Sequence, residues 1–332
     1  MKYYHPLLNT ISEDQSDWSI SLERKPTEAT ENTSIKDGIQ FAFDSTSIGL
    51  FKNCPKKYYY SIVLGYEPRT MAPPLAFGIA FHTVMETWEK LLSAKVDKQA
   101  AFIRVVRLAG LLGDTLPAGD NSRTKETLVR SVIWYLDVFW EDKAVTVTLP
   151  NGKPAVEMHF QLPFMDYLGH EVFICGHIDR LVQWQGSVYV SDFKTSKYQL
   201  DQRFFSQFKP NTQLPLYLTA CHISAETLQN LPPAHGVIID GIQLGVNFSR
   251  FGRGIVPFSL EEINEYIIDL KYWITQAMDA CKVDYFPQNT ESCQKYSGCH
   301  FQEICSKPPA RRQMFLDGNF VKRVWNPLQP RN

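Results

Sequence analysis

Apolar positions along this chain change their period twice. Residues 1–40 are polar and carry no clear period, which predicts a peripheral N-terminal extension. Asp44-Ser45-Thr46-Ser47 then offers several residues that favour a helix N-cap, ahead of a helix predicted to start near Ile48. That helix, interrupted at Pro55, carries Leu50, Phe51, Tyr58, Ile62 and Val63 toward a core. After Pro73-Pro74, the positions Phe77, Phe81, Met85, Trp88 and Leu92 recur at helical spacing. Residues 98–142 read as two further helical pieces divided by Gly113 to Gly119. Near residue 144 the period becomes two. Val145–Thr148 and Ala155–Phe164 read as strands around an Asn151-Gly152 turn, and a second hairpin turns near Gln185-Gly186. A helix around Thr212–His222, a strand pair around Val237–Phe248 and a long helix capped by Ser259 and Glu262 complete the pattern. Helices, then strands, then helices predict an α/β (α+β) fold with helical insertions.

The second hairpin carries candidate chemistry. A two- or four-residue turn centred on Gln185-Gly186 sets Asp179 opposite Asp192 and His177 opposite Lys194. Alternation puts these four on one face and Ile178, Val182, Tyr189 and Phe193 on the other. Facing aspartates stand about 5 Å apart at Cβ and repel, so the arrangement is favourable only with a cation between them. Oxygen ligands at that separation suit Mg²⁺ or Mn²⁺. Lys194 lies about 7 Å along the strand from Asp192, placed to orient an attacking water or to stabilise charge on a phosphate. A lone D-x-K triplet is more often a solvated surface, and the facing Asp179 is what raises this one above that. An odd-length turn would undo the register.

Composition adds less. Net charge is −1, so any nucleic-acid partner must be met by clustered basic residues, such as Lys52, Lys56 and Lys57 beside three tyrosines, or Arg311, Arg312, Lys322 and Arg323. Seven cysteines, an odd number, in a chain without a secretory signal favour reduced thiols or metal ligation over disulfides. Three of them, Cys293, Cys299 and Cys305, crowd one segment. Their spacing serves zinc and iron–sulfur equally. No apolar run approaches the roughly 20 residues of a membrane span, so a soluble, cytoplasmic protein is expected.

Gly176-His177-Ile178-Asp179-Arg180 followed by Val190-Ser191-Asp192-Phe193-Lys194-Thr195-Ser196 resembles the G-x-x-D-R … D-[FY]-K-T signature of RecB-like PD-(D/E)XK nucleases. Ser45-Thr46-Ser47 … Phe51-Lys52-Asn53-Cys54-Pro55-Lys56-Lys57-Tyr58 is similar to that family's N-terminal element. Phe77-Gly78-Ile79-Ala80-Phe81-His82 resembles its G-x-x-x-H helix, and Gln213 to Tyr217 its Q-x-x-x-Y motif. Each piece is weak and the ordered set, spanning about residues 45 to 306, is specific.

The resemblance implies a restriction-endonuclease-like core, a central mixed sheet flanked by helices, over residues 41–292 with a helical insertion near 95–142. It implies catalysis by Asp179, Asp192 and Lys194, with His82, Asp179 and Asp192 holding Mg²⁺ or Mn²⁺. Gln213 and Tyr217, at i and i+4 on one helix face, would border the site, and Tyr58 and Lys57 would contact DNA. Glu86, one turn after His82, and Glu157, on the strand before the hairpin, are further candidates, although both types of position are commonly plain solvated surface. In the iron–sulfur branch of the family, here the CRISPR-adaptation type, Cys54 with Cys293, Cys299 and Cys305 would hold a [4Fe–4S] cluster, with Zn²⁺ the alternative. Both gaps in the trio are five residues, where the family often has C-x2-C. Residues 293–306 would form the cysteine segment and 307–332 a basic tail.

The implied activity is exonucleolytic hydrolysis of single-stranded DNA or DNA ends, in repair, recombination, phage replication or CRISPR adaptation. A separate helicase or a recombination or adaptation protein is the expected partner, since the chain lacks helicase motifs. A non-catalytic DNA-binding or assembly subunit and a sequence- or structure-specific endonuclease are the competing readings. Every acidic ligand and the lysine are present, which weighs against the first.

Overall fold

Pro73 and Pro74 occupy the first positions of a 21-residue helix, Pro73–Ser93 (α1), where their missing N–H groups cost nothing. The computed structural model describes residues 35–36, 38–228, 233–295, 298–323 and 325–327. It divides into two compact units, one built from residues 71–158 and 177–263, the other from residues up to 70, 159–176 and 264 onward.

In the first of these, α1 is followed by Lys98–Gly113 (α2) and Lys125–Val138 (α3), whose N-termini are capped by the side chains of Asp97 and Thr124. Phe77, Phe81, Val84, Met85 and Trp88 of α1 pack with Val105 and Leu108 of α2 and with Leu128, Val132 and Tyr135 of α3. The two helical pieces expected on either side of Gly113 to Gly119 are α2 and α3.

The strands are Val145–Thr146 (β1), Val156–Tyr167 (β2), His170–Trp184 (β3), Ser187–Ser196 (β4), Ala234–Leu244 (β5) and Ser249–Pro257 (β6). They run in the order β6-β5-β4-β3, with β1 also paired to β3. The β4–β5 pair is parallel and the β5–β6, β3–β4 and β1–β3 pairs are antiparallel, so the sheet is mixed. Phe193 and Ile242 of the sheet join the core of α1, α2 and α3. The short helix Gln202–Ser206 (α4) and the helix Gln213–Leu228 (α5) lie between β4 and β5 in the chain. A mixed sheet flanked by helices agrees with the α/β class the pattern predicts and with the core the resemblance implies.

The β3–β4 hairpin has the expected register, from Trp184↔Ser187 to Arg180↔Ser191, and one step further comes the level of Asp179 and Asp192. Gln185 and Gly186 both have positive φ, 50° and 82°, as a two-residue primed turn requires. The next strand pair is longer than expected: it turns at Gly245 to Phe248 and β6 runs to Pro257. Gly252 and Gly254 hide this strand in the sequence, because they break the apolar alternation. A Cβ on Gly254 would stand 2.3 Å from the Phe205 ring, and one on Gly241 2.8 Å from the Phe204 ring. Bare backbone is what lets these two rings pack directly against the sheet.

The other unit contains the helices Ser45–Asn53, Pro55–Tyr58 and Pro309–Asn319 and the antiparallel strands Tyr66–Pro68 and Phe320–Lys322. Asp44 caps the first of these helices through a reciprocal pair with Ser47. Its core is aromatic: Tyr60, Tyr66, Phe301 and Phe320 with Ile304 and Leu316. Much of the expected basic tail is therefore folded. The expected N-terminal extension lies outside the described residues up to position 34, and Ile35–Lys36 pairs with Ile39–Gln40. Among the described residues no helix is long and apolar enough to cross a membrane.

One buried ionic network steadies β5 and β6. Asp240, 1% exposed, binds Arg253 at 2.7 Å, Arg253 reaches Asp142 at 2.8 Å, and the Tyr135 hydroxyl donates to Asp240 at 3.2 Å. Burial pushes the Asp142 carboxyl up, but its bonds to Arg253 and to the Ala144 N–H outweigh this and leave it below its usual value. A carboxyl depressed in the folded state contributes stability above its unfolded value, about 3.9, that is lost as pH falls through the folded value. Arg253→Ala should cost about 3–5 kcal/mol in urea denaturation near pH 7, because it strands Asp240. Asp142→Asn should be less stable than wild type near pH 7, with the difference shrinking toward about pH 3. Equal stability at both pH values would contradict the network's role.

Candidate active site

His82, Glu86 and Glu89 follow one another at i, i+4 and i+7 on α1, so one stripe of the helix carries all three. His82 Nδ1 lies 2.9 Å from Asp179 Oδ2, and its Nε2 faces the Phe193 carbonyl oxygen, also at 2.9 Å. Both ring nitrogens thus meet acceptors. Burial lowers the His82 pKa, but the Asp179 carboxylate more than restores it, so the net shift is upward. Asp192, 1% exposed on β4, is bound by the Lys194 ammonium at 2.7 Å. Burial raises its pKa, Asp179 adds to the rise and Lys194 opposes it.

Lys194 is held a second time. Its Nζ donates to Gln213 Oε1 at 2.9 Å, and Gln213 Nε2 donates to the Tyr217 hydroxyl at 2.8 Å. Gln213 is the first residue of α5, where Asn211 Oδ1 accepts from the N–H groups of Gln213 and Leu214. Direct contacts therefore join His82 to Asp179, and Asp192 through Lys194 and Gln213 to Tyr217. Glu86 pairs with Lys90. It also lines, with His82, Glu89, Glu157 and Asp179, a cavity of about 10 Å³, room for about one water. Glu157 reaches this cavity from a backbone with φ of 49°, strained for a glutamate.

Two residues beside the site have no role in the sequence reading. Arg180 pairs with Glu89 at 3.1 Å, donates to Thr146 Oγ1 and to the Ala144 carbonyl at 2.8 Å each, and Thr146 donates to Glu89 at 2.6 Å. This buried clamp ties α1 to β3 at the residue next to Asp179, and so sets the spacing of His82 and Asp179. The available signal was Glu89, a charge on the apolar stripe of Phe81, Met85 and Trp88.

Tyr58 requires a correction. It is fully buried, its hydroxyl donates to Gln40 at 2.7 Å, and the Phe51 ring meets it edge-on, so no ring face is open to a nucleobase. The spacing that placed it beside lysines was core spacing. Lys57 is half-buried in the same unit.

In that unit, distant stretches converge on the cysteines. Asn289 N–H approaches Cys54 Sγ at 3.4 Å, while Asn289 and Ser292 side chains donate to the Asn53 carbonyl. Gly298, with φ of 99°, turns the chain so that Cys299 N–H donates to the Cys293 carbonyl at 2.8 Å. Burial pushes the Cys305 thiol up to about 11, and Cys54, Cys299 and Cys293 are all near enough to add to the rise while Arg312 opposes it. Cys54, Cys293, Cys299 and Cys305 all belong to this unit, and thiolates are the ligands that zinc and iron–sulfur clusters take. At the hairpin, two carboxylates, an imidazole and a carbonyl are a donor set for a hard divalent cation. Among the described residues no three His, Cys, Asp or Glu side chains already stand as a metal's ligand shell.

The family model described as PD-(D/E)XK nuclease superfamily matches residues 45–306, most of the chain and every motif above. The chain belongs to the PD-(D/E)XK nuclease superfamily. Its mixed sheet is the restriction-endonuclease-like core of that superfamily. No curated protein matches the sequence. Among solved structures, a protein from Eubacterium rectale named provisionally as an exonuclease aligns at 9% identity and a TM-score of 0.45, over 80% of this chain and 91% of its own. A protein designated SSO0001 aligns at 11% identity and a TM-score of 0.27, over 61% of this chain and 84% of its own.

Replacing Glu89 by Gln leaves Arg180 buried without its counter-charge. Such a loss costs about 3–5 kcal/mol, to be measured by urea denaturation, and a change below about 1 kcal/mol would show that the clamp does not hold α1 on the strand.

Proposed function

We propose that this PD-(D/E)XK protein is a Mg²⁺- or Mn²⁺-dependent deoxyribonuclease of the RecB-like branch, an exonuclease that hydrolyses single-stranded DNA or DNA ends. The observation that carries the reading is the pairing of Asp179 with His82 and of buried Asp192 with Lys194 on one hairpin. Asp179 and Asp192 carboxylates, His82 Nδ1 and the Phe193 carbonyl would hold the cation. Bound there, it supplies positive charge that stabilises the phosphate as water attacks and the leaving oxygen departs.

Lys194 does the positioning. An ammonium has three donors, and Asp192 and Gln213 engage two of them, leaving one for the attacking water or a phosphoryl oxygen. Tyr217 fixes which way the Gln213 amide points, so the carbonyl end faces Lys194. Tyr135 of α3 meets Phe193 edge-on at 5.6 Å, which sets the helical insertion against the strand that carries Asp192 and Lys194. Cys54, Cys293, Cys299 and Cys305 hold a structural [4Fe–4S] cluster in this reading, with Zn²⁺ the alternative. Partner proteins would be a separate helicase or a recombination or adaptation factor.

Anaerobically purified protein with Mn²⁺ should shorten end-labelled single- or double-stranded DNA. Lys194→Ala should lower the rate about 10²–10³-fold, Asp192→Ala should abolish cleavage, and Gln213→Ala should fall between wild type and Lys194→Ala. The same preparation should carry iron and sulfide. DNA left intact by wild type, or cut equally by the variants, would overturn the hydrolytic reading. Zinc in place of iron would replace the cluster alone.

A further inference from the structure

Tyr198 is the most exposed large apolar side chain among the described residues, at 83%. It stands two residues beyond the end of β4, the strand that carries Asp192 and Lys194. Single exposed hydrophobic residues are ordinary on protein surfaces, so exposure alone means little. What sets Tyr198 apart is how firmly its backbone is held. Ser196 Oγ accepts from the Tyr198 N–H at 2.9 Å and donates to the Tyr198 carbonyl at 3.3 Å. The preceding Lys197 is pinned to Asp120 at 2.8 Å, and Asp120 is 9% exposed and itself held by Arg123 and Ser122 at 2.8 Å each. On the other side, Leu200 lies so close over β5 that a Cβ on Gly241 would meet it at 2.9 Å. The chain is thus anchored immediately before and after a ring that points into solvent.

We infer that Tyr198 is the stacking platform for a base of a single DNA strand whose phosphate is held at Lys194. The inference rests on the nuclease reading for what lies at Lys194. Tyr198 is four residues along the chain from Lys194, which caps their separation at about 13 Å. The ring therefore serves a nucleotide at or next to the scissile one. A tyrosine with two rotatable side-chain bonds on a fixed backbone loses little freedom when a base covers it. Stacking on an aromatic face is tolerant of base identity, as an enzyme degrading arbitrary sequence requires. It also demands an unpaired base, which gives a preference for single strands without any base-specific hydrogen bond.

The test uses a single-stranded oligodeoxynucleotide carrying 2-aminopurine, titrated with full-length protein in the Asp192→Ala background, which keeps Lys194 and prevents hydrolysis from consuming the probe. With Tyr198 present, binding should quench the fluorophore. Tyr198→Ala should remove the quenching and weaken binding about tenfold, and Tyr198→Phe and Tyr198→Trp should restore both. In the otherwise wild-type enzyme, Tyr198→Ala should raise KM more than it lowers kcat. Unchanged quenching and affinity in Tyr198→Ala, failure of Phe to restore them, or no binding of the oligonucleotide at all would each overturn the platform. Protein that quenches through Tyr198 but cleaves no DNA keeps the platform and loses the nuclease. Cleavage indifferent to Tyr198→Ala does the reverse.

Discussion

The register of one hairpin imposes the constraint from which the rest of the site follows. A two-residue turn at Gln185-Gly186 brings Asp179 and Asp192 to the same level on neighbouring strands, where their charges oppose each other. Burial makes this worse, and Asp192 is almost wholly removed from water. Two side chains answer the problem: the His82 imidazole meets Asp179 and the Lys194 ammonium meets Asp192. In the proposed reading the two carboxylates would hold a divalent ion, whose charge would answer it more completely. The same repulsion that makes the hairpin a poor structural element is what makes it a candidate cation site in the proposed reading.

Around that core, the supporting contacts set geometry. The Arg180–Glu89 clamp fixes α1 against β3, and so the distance from His82 to Asp179. The Tyr217–Gln213 pair fixes Lys194 from the side of α5. Both are buried or half-buried, where a hydrogen bond to a charge is worth more than at a surface. Helix, strand and helix each deliver one part of the candidate site, and each is held by a polar contact beyond its apolar packing.

The hairpin was legible in the sequence because its turn residues and its alternation state the register directly. The helices were legible because Phe77, Phe81, Met85 and Trp88 keep one period. Other parts were not. Gly252 and Gly254 erase the alternation of β6, for a packing reason that only Phe205 makes visible. The tyrosines at 58 to 60 looked like a binding stripe beside lysines, but core and stacking surfaces use the same residue types, and Tyr58 went to the core. Glu89 and Arg180 pair across distant segments, which no local pattern records. Tyr198 carries no periodic signal at all. Its meaning comes from the anchors on either side.

The most direct test of the account is Mn²⁺ binding by the full chain, followed by calorimetry and by the resonance of the free ion, for wild type and Asp179→Asn. The account predicts that wild type binds Mn²⁺ and that losing this one charge weakens binding at least about tenfold. Binding that is absent, or unchanged by Asp179→Asn, would show that the facing carboxylates are not a cation site, and the catalytic reading built on them would fall.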